Sequence, residues 1–211
     1  MNLLDDLNFL LSAPSDLFYD LDEEPRILRP LVLNVLIFML GVGISLLFNN
    51  TEEVLEAASL GLQFKLAVWI VAFLGLAFVL VVNGFQALFY FLGVKLFSYD
   101  LSYKTILSIS LYSYIIQMIK KMLEENISLI MGGETAFSFS PSFLLANTSL
   151  DGSVISLFLE FVNPFVIWYI LLVTIGISVV SGMSKAKAFG ITIVSYFSLL
   201  VLAVIVVLII G

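Results

Sequence analysis

The chain has 211 residues, of which 61% are apolar and only 12% are charged, and its mean hydropathy is +1.14. Soluble domains are about 45–50% apolar and about 25% charged, so this apolar surplus exceeds what a water-soluble core can bury. A net charge of −7 and the absence of cysteine and histidine exclude nucleic-acid binding, disulfides, Ser-His-Asp triads and nitrogen- or sulfur-ligated metals. We predict an all-α transmembrane helix bundle that has no cofactor and is not an enzyme.

Residues 1–30 form a short amphipathic, acidic segment that we place in the cytoplasm. Leucines recur at helical spacing up to Leu11, and Pro14 begins a second short helix that Pro25 ends. Because no base precedes Arg26, anionic lipid would repel the acidic face. We expect the apolar stripes to pack on the ends of the spans, with partner docking or disorder as alternatives, and the acids to face water. These acids are Asp5, Asp6, Asp16, Asp20, Asp22, Glu23 and Glu24.

The transmembrane domain, residues 31–211, contains five predicted spans, with four as the alternative. They cover residues 31–48, 64–83, 105–123, 163–180 and 188–210. The apolar stretch from Leu62 to Phe97 measures about 54 Å as a helix, which exceeds a ~30 Å hydrocarbon core. Asn83-Gly84 is therefore the predicted bend, and Phe85–Phe97 is predicted to be an interfacial or tilted extension.

The third span is the least hydrophobic, because Lys104 and Lys120 enclose only fifteen residues, several of them polar. It crosses only if its lysines snorkel and its polar groups face other helices. A long loop-like connection then leads to about Glu160, and Ser181–Lys187 is a tight polar hairpin. With a cytoplasmic amino terminus, six basic residues lie inside and three outside whether this segment crosses or not. The charge rule thus fixes the amino terminus but not the number of spans.

Several short patterns of apolar, aromatic and small residues recur in a familiar order along the chain. They are Ala13-Pro-Ser-Asp-Leu-Phe18, Glu24-Pro25, Gly93, Leu111-Tyr-Ser-Tyr114, Phe161-Val-Asn-Pro-Phe-Val-Ile-Trp168, Gly176 and the Ser181–Lys187 hairpin. In this order the chain resembles the Yip family, named for interaction with Ypt/Rab GTPases, and more closely its bacterial and archaeal members.

The resemblance implies five spans, a cytoplasmic amino terminus and a carboxy terminus on the exported side of a prokaryotic cytoplasmic membrane. Eukaryotic relatives act in vesicle traffic and contact GTPases partly through longer amino-terminal regions. Because only about thirty residues precede the first span here, GTPase binding is not carried over. The matching positions look structural, so no catalytic or binding residue is transferred.

The candidate site is a cluster of neutral polar residues within the spans: Asn83, Gln86, Tyr114 and Gln117. Such groups commonly form hydrogen bonds between helices, and the alternative is that they line a pore or ligand cleft. The middles of the proposed spans lack charged residues, which weighs against a proton-coupled pump. Acidic pairs such as Glu23/Glu24 and Glu124/Glu125 are interpreted as solvated surface rather than metal ligands.

We predict a membrane scaffold or organiser that acts through protein contacts. One alternative is a small-solute permease or channel, motivated by the polar cluster. The other is a lipid-binding protein, motivated by the aromatic Phe85–Phe97 segment. Expected partners are membrane lipid and another membrane or peripheral protein, and small-residue pairs such as Gly41/Ser45 permit a homo-oligomer.

Overall fold

The computed structural model describes residues 3–48, 62–131, 137–145, 159 and 162–210. In these ranges the chain is helical and contains no β-strand, which confirms the predicted all-α class. The α-helices are α1 (Leu3–Ser12), α2 (Pro14–Glu23), α3 (Leu28–Phe48), α4 (Leu62–Leu96), α5 (Tyr103–Ile130), α6 (Pro164–Ser181) and α7 (Lys185–Ile210), and a 3-10 helix covers Pro141–Leu145.

Among the described residues, three helices are long and apolar enough to cross a membrane. The qualifying segments are Leu28–Ser45 of α3, Phe73–Leu96 of α4 and Pro164–Ser181 of α6. The choice between five and four spans stays a prediction. The predicted connection up to Glu160 falls partly outside the described residues, and the carboxy-terminal Gly211 falls outside them as well.

Helix ends follow local signals that were readable in the sequence. Pro14 and Pro164 are the first residues of α2 and α6, a position at which the missing proline N–H costs no helical hydrogen bond. Asn163 caps α6, since its side-chain Oδ1 accepts a hydrogen bond from the Val166 N–H at 2.9 Å. In the α6–α7 hairpin, Gly182 has φ +68, which a residue without Cβ adopts most easily. The predicted tight hairpin is confirmed.

The two longest helices, α4 and α5, exceed the ~30 Å thickness of a hydrocarbon core. α4 has 35 residues, or about 52 Å, and runs through Asn83-Gly84 as helix, so the Phe85–Phe97 extension continues it to Leu96. α5 has 28 residues, about 42 Å, and joins the predicted third span to the turns after Glu124 in one continuous helix.

The chain divides into two compact units, of which the first comprises Met1–Leu33, Phe78–Tyr114 and Tyr169–Gly211. Its core includes the first half of α5, where seven residues have no solvent exposure. They are Ile106, Ser108, Ile109, Ser110, Leu111, Tyr112 and Ser113. Because protein surrounds this stretch, Ser108, Ser110 and Tyr112 form hydrogen bonds away from lipid. The least hydrophobic predicted span is thus a central helix of its unit.

Two glycines bring helices of the first unit close together. A Cβ added at Gly93 of α4 would lie 2.7 Å from Ile191 Cγ2 of α7, and one added at Gly176 of α6 would lie 2.5 Å from Ile109 Cγ2 of α5. Real Cβ atoms do not approach other carbons so closely, because packed interiors leave no room for the overlap. Both glycines are required by helix packing.

The second unit comprises Asn34–Ala77 and Ile115–Trp168. Glu124 of α5 holds the following segment, since its carboxylate accepts hydrogen bonds from the Ser138 hydroxyl and the Phe139 N–H, each at 2.8 Å. Its other oxygen lies 3.5 Å from Lys120 Nζ. The expectation that the Glu124/Glu125 pair is solvated surface is therefore wrong for Glu124, whose side chain is only 17% exposed and takes part in these contacts.

The second stripe of the amino-terminal segment packs on helices of its own unit, as expected. The same expectation is wrong for part of the first stripe, since Leu4 and Leu11 are exposed. Leu17, Phe18 and Leu21 of α2 have no solvent exposure, and the Phe18 ring lies against Gly176 of α6. The expectation that all acids of this segment face water is wrong for Asp6, which is fully buried. Its burial has a structural reason, because it finds partners on two other helices.

Candidate functional site

A chain of buried polar side chains links α4, α5 and α6 in the first unit, and Asn83 of α4 stands at one end of it. The Asn83 side-chain N–H donates to the Val79 carbonyl oxygen at 2.9 Å within the same helix. This fixes the amide orientation and turns its oxygen toward α5. Ser110 of α5 donates its hydroxyl to that oxygen at 2.9 Å, which makes an interhelical hydrogen bond.

The other end of the chain is built around two tyrosines. The hydroxyls of Tyr90 on α4 and Tyr169 on α6 lie 3.2 Å apart, and the Gln86 side-chain N–H donates to Tyr90 at 3.0 Å. The Ser110 side chain lies close to the Tyr169 hydroxyl. Both tyrosines and Ser110 are at most 1% exposed, so these bonds lie away from solvent.

The directions of these hydrogen bonds follow from donor counting. The single proton of Ser110 goes to Asn83. Tyr90 accepts from Gln86, which leaves its own proton free for Tyr169. We call the five residues the tyrosine relay: Gln86, Tyr90, Tyr169, Ser110 and Asn83.

The structure brings together part of the predicted polar cluster. Asn83 and Gln86 are both members of the tyrosine relay, and Tyr114 lies half-buried one turn after Ser110 in the same unit. Gln117 belongs to the second unit, where its side-chain N–H donates to the Phe165 carbonyl oxygen at 3.0 Å. A shared functional role for the four residues stays a prediction.

Sequence reasoning missed three members of the relay: Ser110, Tyr90 and Tyr169. Tyr90 could have been predicted from the sequence, because residues four apart on a helix lie on one face and Tyr90 is four residues after Gln86. Tyr169 was not, since its partner Tyr90 is 79 positions away in the chain. Nothing in the local pattern around Tyr169 identifies that pairing.

A second polar cluster, which we call the amino-terminal clasp, consists of Asp6, Tyr112 and Arg29. The Tyr112 hydroxyl donates to Asp6 Oδ2 at 2.7 Å, while Arg29 Nη1 lies 3.8 Å from Asp6 Oδ1. The longer distance is an ion pair without a hydrogen bond. Tyr112 is thus the direct partner of the carboxylate, and the clasp ties α1 to α3 and α5.

A neighbouring contact ties the chain between α2 and α3 to the same helix. Ser108 lies four residues before Tyr112 on α5, and its hydroxyl donates to the Arg26 carbonyl oxygen at 2.5 Å. Its oxygen also accepts the Arg26 N–H at 3.2 Å. The two residues place polar groups on one face of α5, while Ser110 places one on another. α5 therefore connects the amino-terminal segment with the relay helices.

The chemistry of the relay is that of neutral donors and acceptors which satisfy one another. Amide and phenol groups carry no charge near neutral pH, and hydrogen-bonded networks of this kind rigidify the helices that hold them. The relay is suited to fastening α4, α5 and α6 together. Among the predicted cluster, Asn83 forms a hydrogen bond to another helix, while the bond of Gln86 to Tyr90 lies within α4.

The Ser110–Asn83 hydrogen bond should contribute little to stability, although it is buried. Interhelical hydrogen bonds in membrane proteins average about 0.6 kcal/mol and reach about 1.7 kcal/mol. A double-mutant cycle of Ser110→Ala and Asn83→Ala should give a coupling free energy in that range, measured by unfolding in mixed detergent. Ser198→Ala is the matched control, because that hydroxyl donates to the Val194 carbonyl of its own helix. Coupling near zero would contradict the relay geometry.

Comparison with known proteins places this geometry in a family context. The model of the Yip1 domain matches residues 9–208. The chain is also similar to the membrane protein YknW of Bacillus subtilis (strain 168), with 30% identity over 207 residues that cover 91% of this chain and 85% of that protein. No solved structure matches the chain significantly.

Proposed function

Because this chain belongs to the Yip family and is of the bacterial type, we propose that it is a non-enzymatic membrane scaffold that acts through protein contacts. The chain is therefore a membrane protein, like the other members of the family and the Bacillus relative. The scaffold role is our proposal, as is the absence of catalysis. Its partner is expected to be another membrane protein or a peripheral one.

The observation that supports this proposal most directly is the closed hydrogen bonding of the tyrosine relay. A solute path needs polar groups that water or substrate can reach. Here Asn83, Gln86 and Tyr169 are at most 5% exposed and are bonded to other relay members or to backbone. Buried side chains that are hydrogen-bonded to one another favour a rigid helix bundle. A rigid bundle suits a protein that presents its surface to a partner.

We also propose that the amino terminus is cytoplasmic and the carboxy terminus lies on the exported side. The exported carboxy terminus rests on the five spans that the family resemblance implies, and the cytoplasmic amino terminus is supported by exposed charges at helix ends of the first unit. After α4, the Lys95 ammonium donates to the Asp100 carboxylate and so lowers the pKa of Asp100. Lys104, Lys185 and Lys187 are exposed as well, and such basic residues favour the cytoplasmic face.

The scaffold proposal is tested by crosslinking in native membranes followed by mass spectrometry. A photo-reactive phenylalanine analogue at Tyr19, which is 67% exposed on α2, should capture one protein reproducibly. The same analogue at Phe18, which is fully buried, serves as the matched control and should capture none. The captured protein should also co-purify with the unmodified chain.

Purified protein in liposomes should show no solute flux above that of empty vesicles. Robust flux that Ser110→Ala or Tyr169→Phe alters would contradict the scaffold proposal, since it would make the relay part of a path. Failure to recover a partner protein by crosslinking or by co-purification would also count against the scaffold proposal.

A further inference from the structure

The two amino-terminal helices have outward faces of opposite character. On α1 the exposed residues carry no charge, whereas on α2 four of the six exposed residues are acids. The exposed residues are Leu4, Asn8, Leu11 and Ser12 on α1, and Ser15, Asp16, Tyr19, Asp20, Asp22 and Glu23 on α2. The two helices therefore suit different surroundings.

Two leucines of α1 are exposed while one of its acids is buried. Leu4 is 76% exposed and Leu11 is 45% exposed, whereas Leu10 and the charged Asp6 have no solvent exposure. Hydration would favour Asp6 outside and Leu4 and Leu11 inside. In a bilayer, ionisable side chains turn toward the protein interior and pair there. The arrangement of α1 is the one that lipid favours.

The clasp also places α1 next to a membrane-entering helix. Asp6 pairs with Arg29, which stands in the first turn of α3, and the apolar segment Leu28–Ser45 begins there. Leu28 at this position is 72% exposed. α1, with Leu4 and Leu11 on its outward face, therefore lies beside the start of a lipid-facing span.

Both helices contact the same part of α5. α1 meets the Tyr112 hydroxyl, and on α2 Phe18 lies at the level of Ile109, since both side chains pack against Gly176. Ile109 precedes Tyr112 by three residues, so the two contacts lie within about one helical turn. What separates α1 from α2 is the opposite character of their outward faces.

We propose that the membrane surface passes between these helices, so that α1 is an interfacial helix with Leu4 and Leu11 in the acyl-chain boundary, and α2 lies in water. The occupant of the outward face of α1 is lipid. Asn8 and Ser12 remain at headgroup level, where the Ser12 hydroxyl is already bonded to the Asn8 carbonyl at 2.7 Å. Interfacial helices typically bury their apolar face about 5–10 Å deep. This placement is independent of the scaffold proposal.

The absence of cysteine from the chain makes a direct test possible. Leu4→Cys and Leu11→Cys, each labelled with an environment-sensitive nitrobenzoxadiazole dye, are reconstituted into phosphatidylcholine and phosphatidylglycerol vesicles. Asp16→Cys and Asp20→Cys on α2 are the matched controls. Lipids brominated or spin-labelled in the acyl chain quench from the membrane side, and iodide quenches from water.

Dyes at positions 4 and 11 should emit at shorter wavelength, be quenched by the modified lipids, and have iodide quenching constants several-fold below those at positions 16 and 20. Equal iodide access at all four positions would overturn the proposal. Protection at positions 4 and 11 from both kinds of quencher would also overturn it, because protein would then cover the face. Far-UV circular dichroism of each variant verifies that the helices are retained.

Discussion

Gly176→Ala is expected to destabilise the protein by about 1–3 kcal/mol, although alanine is the better helix former. The added methyl group would lie 2.5 Å from Ile109 Cγ2 and 3.3 Å from Phe18 Cδ2. Both neighbours are fully buried, so neither has open space into which to move. The measurement is the midpoint of unfolding in mixed detergent, followed by circular dichroism.

Gly190→Ala provides the matched control for this prediction, because a Cβ at that position of α7 meets nothing within 4 Å. It should be neutral or mildly stabilising. Ile109→Ala should partly rescue Gly176→Ala, since it removes the methyl groups that the new Cβ would meet. The coupling free energy of the pair should therefore be about 0.5–3 kcal/mol in the favourable direction. Strictly additive effects would contradict the close approach of α5 and α6.

Gly176 and Gly93 illustrate what the sequence could provide. Both positions carried the family resemblance, and both are sites of close helix contact, in keeping with a structural role for the matching motifs. Proline positions and the polar hairpin predicted the helix boundaries for a similar reason. Each of these signals acts locally, through φ angles, missing donors or missing side chains, so it can be read without knowing the neighbours.

Hydropathy was a poorer guide to α5. It reports how well a stretch suits contact with lipid, and it cannot show that other helices enclose that stretch. The stretch around Leu111 and Tyr112 looked marginal for a span. In the structure it has no solvent exposure and is enclosed by its own unit. A helix that is surrounded by other helices has no side facing lipid and therefore does not need a fully apolar surface. It can use serine and tyrosine hydroxyls for hydrogen bonds to its neighbours.

Asp6 shows what composition could not provide. Nothing in the sequence distinguishes Asp6 from the other six amino-terminal acids. Its burial depends on Tyr112, which lies 106 positions away, and on Arg29. Only the fold determines which carboxylate lies next to these partners. From the sequence alone, all seven acids are predicted to face water.

The amino-terminal clasp is the second place where a large effect is expected. Tyr112→Phe removes the hydroxyl that donates to Asp6 Oδ2 and leaves a buried carboxylate whose nearest cation is Arg29 at 3.8 Å. Hydrogen bonds to charged groups contribute about 1.5–3 kcal/mol. The loss should appear as opening of α1, because the clasp joins this helix to α3 and α5.

Opening of α1 can be followed through a thiol placed under it. Leu10 has no solvent exposure, so Leu10→Cys in the cysteine-free chain should react slowly with a soluble maleimide. Since each 1.4 kcal/mol changes an equilibrium tenfold, Tyr112→Phe should raise the reaction rate by about one to two orders of magnitude. Asp6→Asn retains an acceptor for the tyrosine and should have a smaller effect.

Tyr114→Phe is the control that separates the clasp from a general effect of losing a phenol. It makes the same chemical change two residues along α5, at a half-buried position, and should leave the Leu10→Cys rate unchanged. A thiol at the buried Ala188 of α7 should be insensitive to all three variants, because α1 opens locally while the bundle persists. Equal acceleration by Tyr112→Phe and Tyr114→Phe would show that the clasp does not hold α1 in place.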